Sequence, residues 1–213
     1  MSDDAVAGGI GREQLRRRGL HLAWFIIVWD VIEGVVAVSA GVAAGSIALI
    51  GFGIDSGIEV FAASVVVWQL RGGANARQRP ALRLIAVSFA VLAAYVGFEA
   101  IRDLVTLDRA GESLLGIALN VVALAVMVPI AIFQRRTGRA LGNSVLVAQS
   151  NETWLSNCLS ASLLIGLGLN ALLGWWWADP AAALLVAAVA ANAARESWHE
   201  SNEQDEDDTH DTH

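Results

Sequence analysis

The sequence predicts an all-α fold, a polytopic membrane protein built as a bundle of six transmembrane helices with both termini cytoplasmic. Three observations predict it. The chain has 213 residues, 55% of them hydrophobic, with a mean hydropathy of +0.53, which is too apolar for an ordinary soluble domain. Six apolar segments fall near 20–42, 46–70, 82–106, 113–133, 143–172 and 178–194, each near or above the length that crosses a bilayer. All fourteen basic residues are arginines. With a cytoplasmic N-terminus, twelve of them lie on the inner side and only Arg102 and Arg109 on the outer side, a strong positive-inside bias.

Each element has its own signal. Residues 1–18 form a polar lead carrying Arg12, Arg16, Arg17 and Arg18. The apolar run that follows resembles the start of a signal peptide. Asp30 and Glu33 interrupt it, however, and it continues past signal-peptide length, so it reads as a retained first span. Gly45-Ser46 joins the first two helices in a tight hairpin, and a polar loop from Arg71 to Leu82 leads through Arg79-Pro80 into the third. Asp179-Pro180 is a helix start signal for the sixth segment, whose Ala, Leu and Val residues permit close helix packing. Trp175-Trp176-Trp177 then falls at the outer interface, where aromatic belts sit. The organisation is a lead over 1–18, a six-helix transmembrane domain over 19–196 and a tail over 197–213. That tail is acidic, contains His199, His210 and His213, and reads as disordered and solvated rather than metal-collecting.

Composition excludes several function classes. Without lysine there is no Schiff-base lysine, Ser–Lys dyad or P-loop lysine. Cys158 is the single cysteine, so there is no intrachain disulfide and no cysteine cluster for zinc; it reads as a small packing residue. No nucleophile has an evident base, so the chain is not expected to be an enzyme. The net charge of −7 is concentrated in the tail, and the arginines are explained by topology, so no nucleic-acid partner is expected.

The informative residues are carboxylates inside apolar runs. Asp55 and Glu59 are four apart in the second segment, about 40° apart around a helix axis and so on one face. A charge at the bilayer centre costs roughly 2.5–3.5 kcal/mol on insertion scales, so two on one face argue for a use. In the fifth segment Glu152 and Ser156 share a face at the same spacing, with Gln149 three residues earlier. Three carboxylates, a hydroxyl and an amide oxygen make a plausible cage for a divalent cation; the competing reading is interhelical hydrogen bonding that fixes the bundle. Asp30 and Glu33 in the first segment mark either a second cation or proton site or a hydrogen-bonded crossing. Glu99 and Arg102, one turn apart, read as a structural ion pair. His21 reads as an interfacial residue rather than a ligand.

The run from Gly45 to Glu59 (Gly-Ser-Ile-Ala-Leu-Ile-Gly-Phe-Gly-Ile-Asp-Ser-Gly-Ile-Glu), together with Glu152-Thr153 and Gly174-Trp-Trp-Trp-Ala-Asp-Pro-Ala-Ala182, resembles the cation diffusion facilitator family over roughly residues 19–196. The resemblance implies a six-helix membrane bundle, usually a homodimer. A residue pair on the second helix and a His/Asp pair on the fifth bind a divalent metal there, exchanged for protons by alternating access. Asp55 and Glu59 match the second-helix pair and Glu152 the first member of the fifth-helix pair. Ser156 stands where the second acidic residue belongs, and the site has no histidine. Both departures disfavour zinc and leave room for manganese, cobalt, iron or magnesium. The chain also ends shortly after the sixth segment, so the family's cytoplasmic metal-sensing domain is expected to be absent.

The sequence reading is therefore a divergent divalent metal cation transporter, with proton-coupled efflux from the cytoplasm by alternating access through a buried carboxylate site between the second and fifth helices. It sits in a lipid bilayer, expected to be the bacterial inner membrane. Its metal is a transported substrate rather than a permanent cofactor. The alternative is a non-transporting membrane protein that binds cations or partners.

Overall fold

A computed structural model describes residues 3–44, 47–72, 77–106 and 114–210. These form six helices: α1 (Asp3–Ala44), α2 (Ile47–Arg71), α3 (Gln78–Thr106), α4 (Leu114–Leu141), α5 (Ser144–Leu173) and α6 (Ala178–His210). Each covers one apolar segment read from the sequence. Helix α1 packs along α2, α3 along α6, and α4 along α5; α2 and α3 each also touch α5. The Gly45-Ser46 connection and Arg109 lie outside the described residues.

Local chemistry explains the ends. Arg16 donates to the Leu70 carbonyl at 3.0 Å and Arg77 to that of Trp68 at 3.1 Å, so guanidinium groups satisfy the last carbonyls of α2. Between α4 and α5 the chain turns through Gly142 at φ 65°, and the Asn143 side chain then accepts from the Leu146 N–H at 2.8 Å, an N-cap for α5. Helix α5 ends at Gly174, whose φ of 70° favours a residue without Cβ.

Sidedness is inverted relative to a soluble domain. Leu172 (83% exposed) and Leu185 (70%) face outward, whereas Gln69 (0%) and Glu152 (1%) are buried. Such an arrangement is stable where the surroundings are apolar and polar groups must find partners inside. Among the described residues, four helices are long and apolar enough to cross a membrane: Gly11–Ala43, Leu49–Arg71, Gln78–Thr106 and Gly116–Leu141. The chain is an integral membrane protein.

The helices extend beyond the apolar runs. Helix α1 begins at Asp3, inside the lead, and there Glu13 pairs with Arg16 at 2.8 Å and Arg17 at 2.9 Å. The larger difference is at the other end. The sequence reading has a disordered tail from 197, yet α6 continues to His210. Its extension packs on α3. Arg83 lies over the Trp198 ring at 5.6 Å and donates to Asn202 at 3.1 Å, while Ser197 and Ser201 are buried. His213 lies outside the described residues. Cys158, read as a packing residue, is exposed on α5.

Candidate functional site

Asp55 and Glu59 sit one turn apart on α2, facing α5. Ser156 Oγ donates to Asp55 Oδ2 at 2.9 Å, which joins the two helices at the pair of positions that the spacing put on facing sides. Asp55 Oδ1 is shielded from solvent and has no hydrogen-bond partner. Glu59 is buried, with Ser156 and Thr153 as its hydroxyl neighbours and Oε2 unpartnered.

Glu152 lies deeper. It is buried with the Ser88 hydroxyl of α3 as its neighbour; that hydroxyl donates to the Ile85 carbonyl at 2.8 Å, and neither carboxylate oxygen accepts a hydrogen bond. The charges of Glu59 and Asp55 act on it. A buried, unpartnered carboxylate is expensive, so nothing about local stability explains its presence. Gln149, from the same helix, is engaged differently. Its Oε1 accepts from Gln134 Nε2 of α4, which makes it half of an amide pair instead of leaving its oxygen open for a cation.

Asp30 and Glu33 are drawn into the same group. Glu33 Oε2 accepts from Trp29 Nε1 at 2.7 Å, and Oε1 accepts from Ser56 Oγ at 3.2 Å. Ser56 adjoins Asp55 in sequence, so Glu33 is fastened to α2 beside it. Asp30 is buried with Oδ2 unpartnered, and Glu59, Glu33 and Asp55 all act on its charge. The approach of the two helices depends on glycine. A Cβ at Gly34 would lie 3.3 Å from the Gly53 carbonyl oxygen, and one at Gly53 3.0 Å from that of Gly34.

The five carboxylates thus form one group across α1, α2 and α5, rather than a metal cage plus a separate second site. None of the five is in an ion pair among the described residues. Two like charges about 8 Å apart at an effective dielectric near 20 repel by about 2 kcal/mol, so the group needs positive charge, as metal or as protons. Among the described residues, no three His, Cys, Asp or Glu side chains gather closely enough to hold one metal ion. The arrangement supplies carboxylates in twos, with hydroxyls between them.

Sequence reasoning missed Trp29, Ser56 and Thr153. Trp29 was findable, standing four residues before Glu33 on one helix face. Ser56 was not, because its role depends on how α1 crosses α2.

No protein-family model matches the chain. Over 73 residues it is 34% identical to a cation-efflux pump, FieF, of Shewanella oneidensis, an alignment covering 34% of this chain and 24% of that protein. Over 151 residues it is 26% identical to an uncharacterized transporter of Synechocystis sp., covering 66% of this chain and 49% of that protein. The chain therefore spans between a quarter and a half of the length of these curated relatives.

Proposed function

We propose that the chain is a divalent metal cation transporter that expels its substrate from the cytoplasm in exchange for protons. The observation that carries this reading is Glu152, buried beside Asp55 and Glu59 with both oxygens unpartnered. The similarity to a cation-efflux pump and to a second transporter supports it.

In this reading all six helices span the membrane and both termini are cytoplasmic, as the arginine distribution favours. The membrane is a bacterial inner membrane, and the protein works as a homodimer. A cation loads from the arginine-rich side onto two carboxylates at a time, with Ser156 and retained waters completing its shell. That mode suits hard cations that keep part of their hydration, such as manganese or magnesium. Protons arriving from the other side replace the positive charge and release the metal, the carboxylates titrating as a coupled group. No step requires bond-making by the protein, and the chain is not an enzyme.

Metal flux into proteoliposomes under an imposed pH gradient tests the reading, with zinc, manganese, cobalt, iron(II) and magnesium. Flux of one metal that needs the gradient and vanishes in Asp55→Ala and Glu152→Ala is the expected outcome. A flux that survives both substitutions would sink it. One observation favours a second reading, a membrane protein that binds cations without moving them: among the described residues no three carboxylates lie close enough to hold one ion together. It predicts metal binding with no flux.

A further inference from the structure

A cavity of about 160 Å³ lies between α2, α3, α4, α5 and α6, on the side of Asp55 away from the arginine-rich end. Asp55 and Ser160 line it on the inside, Glu99, Asp103 and Asp179 toward its rim, and Asn120 on its α4 wall. Its size admits several waters. Ser160 stands one turn beyond Ser156, so α5 continues a line of hydroxyls from Asp55 into this space.

The rim carboxylates are not equivalent. Arg102 bridges Glu99 and Asp103 at 3.1 Å each. Asp179 has no ion pair or hydrogen bond among the described residues. It is held where it is by close packing: a Cβ at Gly166 would lie 3.0 Å from its Cα, so α5 lets the start of α6 approach only because that position is glycine.

Asn120 is the independent observation. It is 2% exposed in an otherwise apolar stretch of α4. Its Nδ2 donates to the Gly116 carbonyl at 3.1 Å, which fixes the orientation of the amide. Asn120 lines the cavity, and its Oδ1 is buried with no hydrogen-bond partner. A buried amide oxygen without a donor is costly, and a cation with its waters supplies what it lacks.

We propose that this cavity is a second divalent-cation station, in which Asn120 Oδ1 and the Asp179 carboxylate hold a partly hydrated ion, with Asp55 at its inner end. The inference rests on the transport reading for its use, since it places the station on the release side of the carboxylate group. One neutral oxygen, one free carboxylate and water make a weak site, which suits an ion that must leave. Arg102 keeps the other two rim carboxylates occupied, so the station does not bind its ion too tightly.

Binding of manganese(II) to the full chain in lipid nanodiscs, followed by electron paramagnetic resonance of the free ion, tests this apart from transport. The wild type is expected to show two classes of site. Asn120→Leu and Asp179→Asn remove the weaker class and leave the tighter. Asn120→Asp, which keeps the side chain's size, tightens the weaker class about tenfold through its added charge. Glu152→Gln weakens the tighter class and leaves the weaker. An isotherm that responds to Glu152→Gln and is the same in wild type, Asn120→Leu and Asn120→Asp overturns the second station while leaving the carboxylate group intact. One that responds to Asn120 and Asp179 alone supports the station and overturns the carboxylate group as the loading site.

Discussion

Acidic residues at helical spacing occur in two regions of this bundle, and they meet opposite fates. Near the end of α3, Glu99 and Asp103 flank Arg102 and both bind it at 3.1 Å. In the group across α1, α2 and α5, five carboxylates share the interior with no arginine paired to them among the described residues. The first region is given a fixed counter-charge by the chain itself. The second is left to be neutralised by something that comes and goes. Spacing alone does not separate a structural acid from a functional one; the presence of a fixed counter-charge does.

Glu152→Gln is the strongest way to break that contrast. It keeps the shape and removes the charge. Metal flux is expected to fall by about 100-fold or more, at or beyond what changes around a metal ligand usually cost. Thermal stability of the purified protein should rise by about 1–3 kcal/mol, because an unpartnered buried charge is removed. A variant that loses stability would instead make Glu152 a structural residue, like Glu99.

Ser156→Ala sharpens the contrast at its junction. It removes the hydroxyl that donates to Asp55 and should weaken metal binding by about tenfold, with little change in melting temperature. Equilibrium manganese binding measures the first, and a melting curve the second. Unchanged affinity would show that the hydroxyl serves only to tether α5 to α2.

The smallest effect is expected at the paired region. Arg102→Ala leaves two carboxylates without their partner, but all three side chains are partly exposed, so the loss is about 1 kcal/mol or less. Flux should stay within about twofold of wild type in the proteoliposome assay. A collapse of flux would mean that the pair gates the cavity rather than merely neutralising its rim.

Much of this was legible in the residues. Six apolar segments became six helices, and the spacings of Asp55 to Glu59 and of Glu152 to Ser156 do bring α2 to α5. The Glu99–Arg102 pair was legible for the same reason, since both partners lie on one helix. Partners on different helices were not. Gln149 was read as a cation ligand, but Gln134 on α4 already uses its oxygen, and nothing in the local sequence announces that meeting. Asn120 left a signal that passed unread: a lone amide in an apolar span carries a cost and asks for a reason. The sequence reading starts α1 too late and ends α6 too early, because hydropathy marks only where a helix is apolar. Helicity outside that run was decided by contacts such as Arg83 with Trp198.

The glycine contact between α1 and α2 has a mechanical consequence. Gly34 and Gly53 bring two backbones to near touching, and a Cβ at Gly41 would lie 2.9 Å from the Ile50 nitrogen, so the fit continues toward the hairpin end. Close-packed surfaces of this kind do not slide without opening voids. Helices α1 and α2 therefore behave as one thick rod, and Asp30, Glu33, Asp55 and Glu59 are teeth cut along it at fixed intervals. Only Glu152, on another helix, is free to change its distance from the rest.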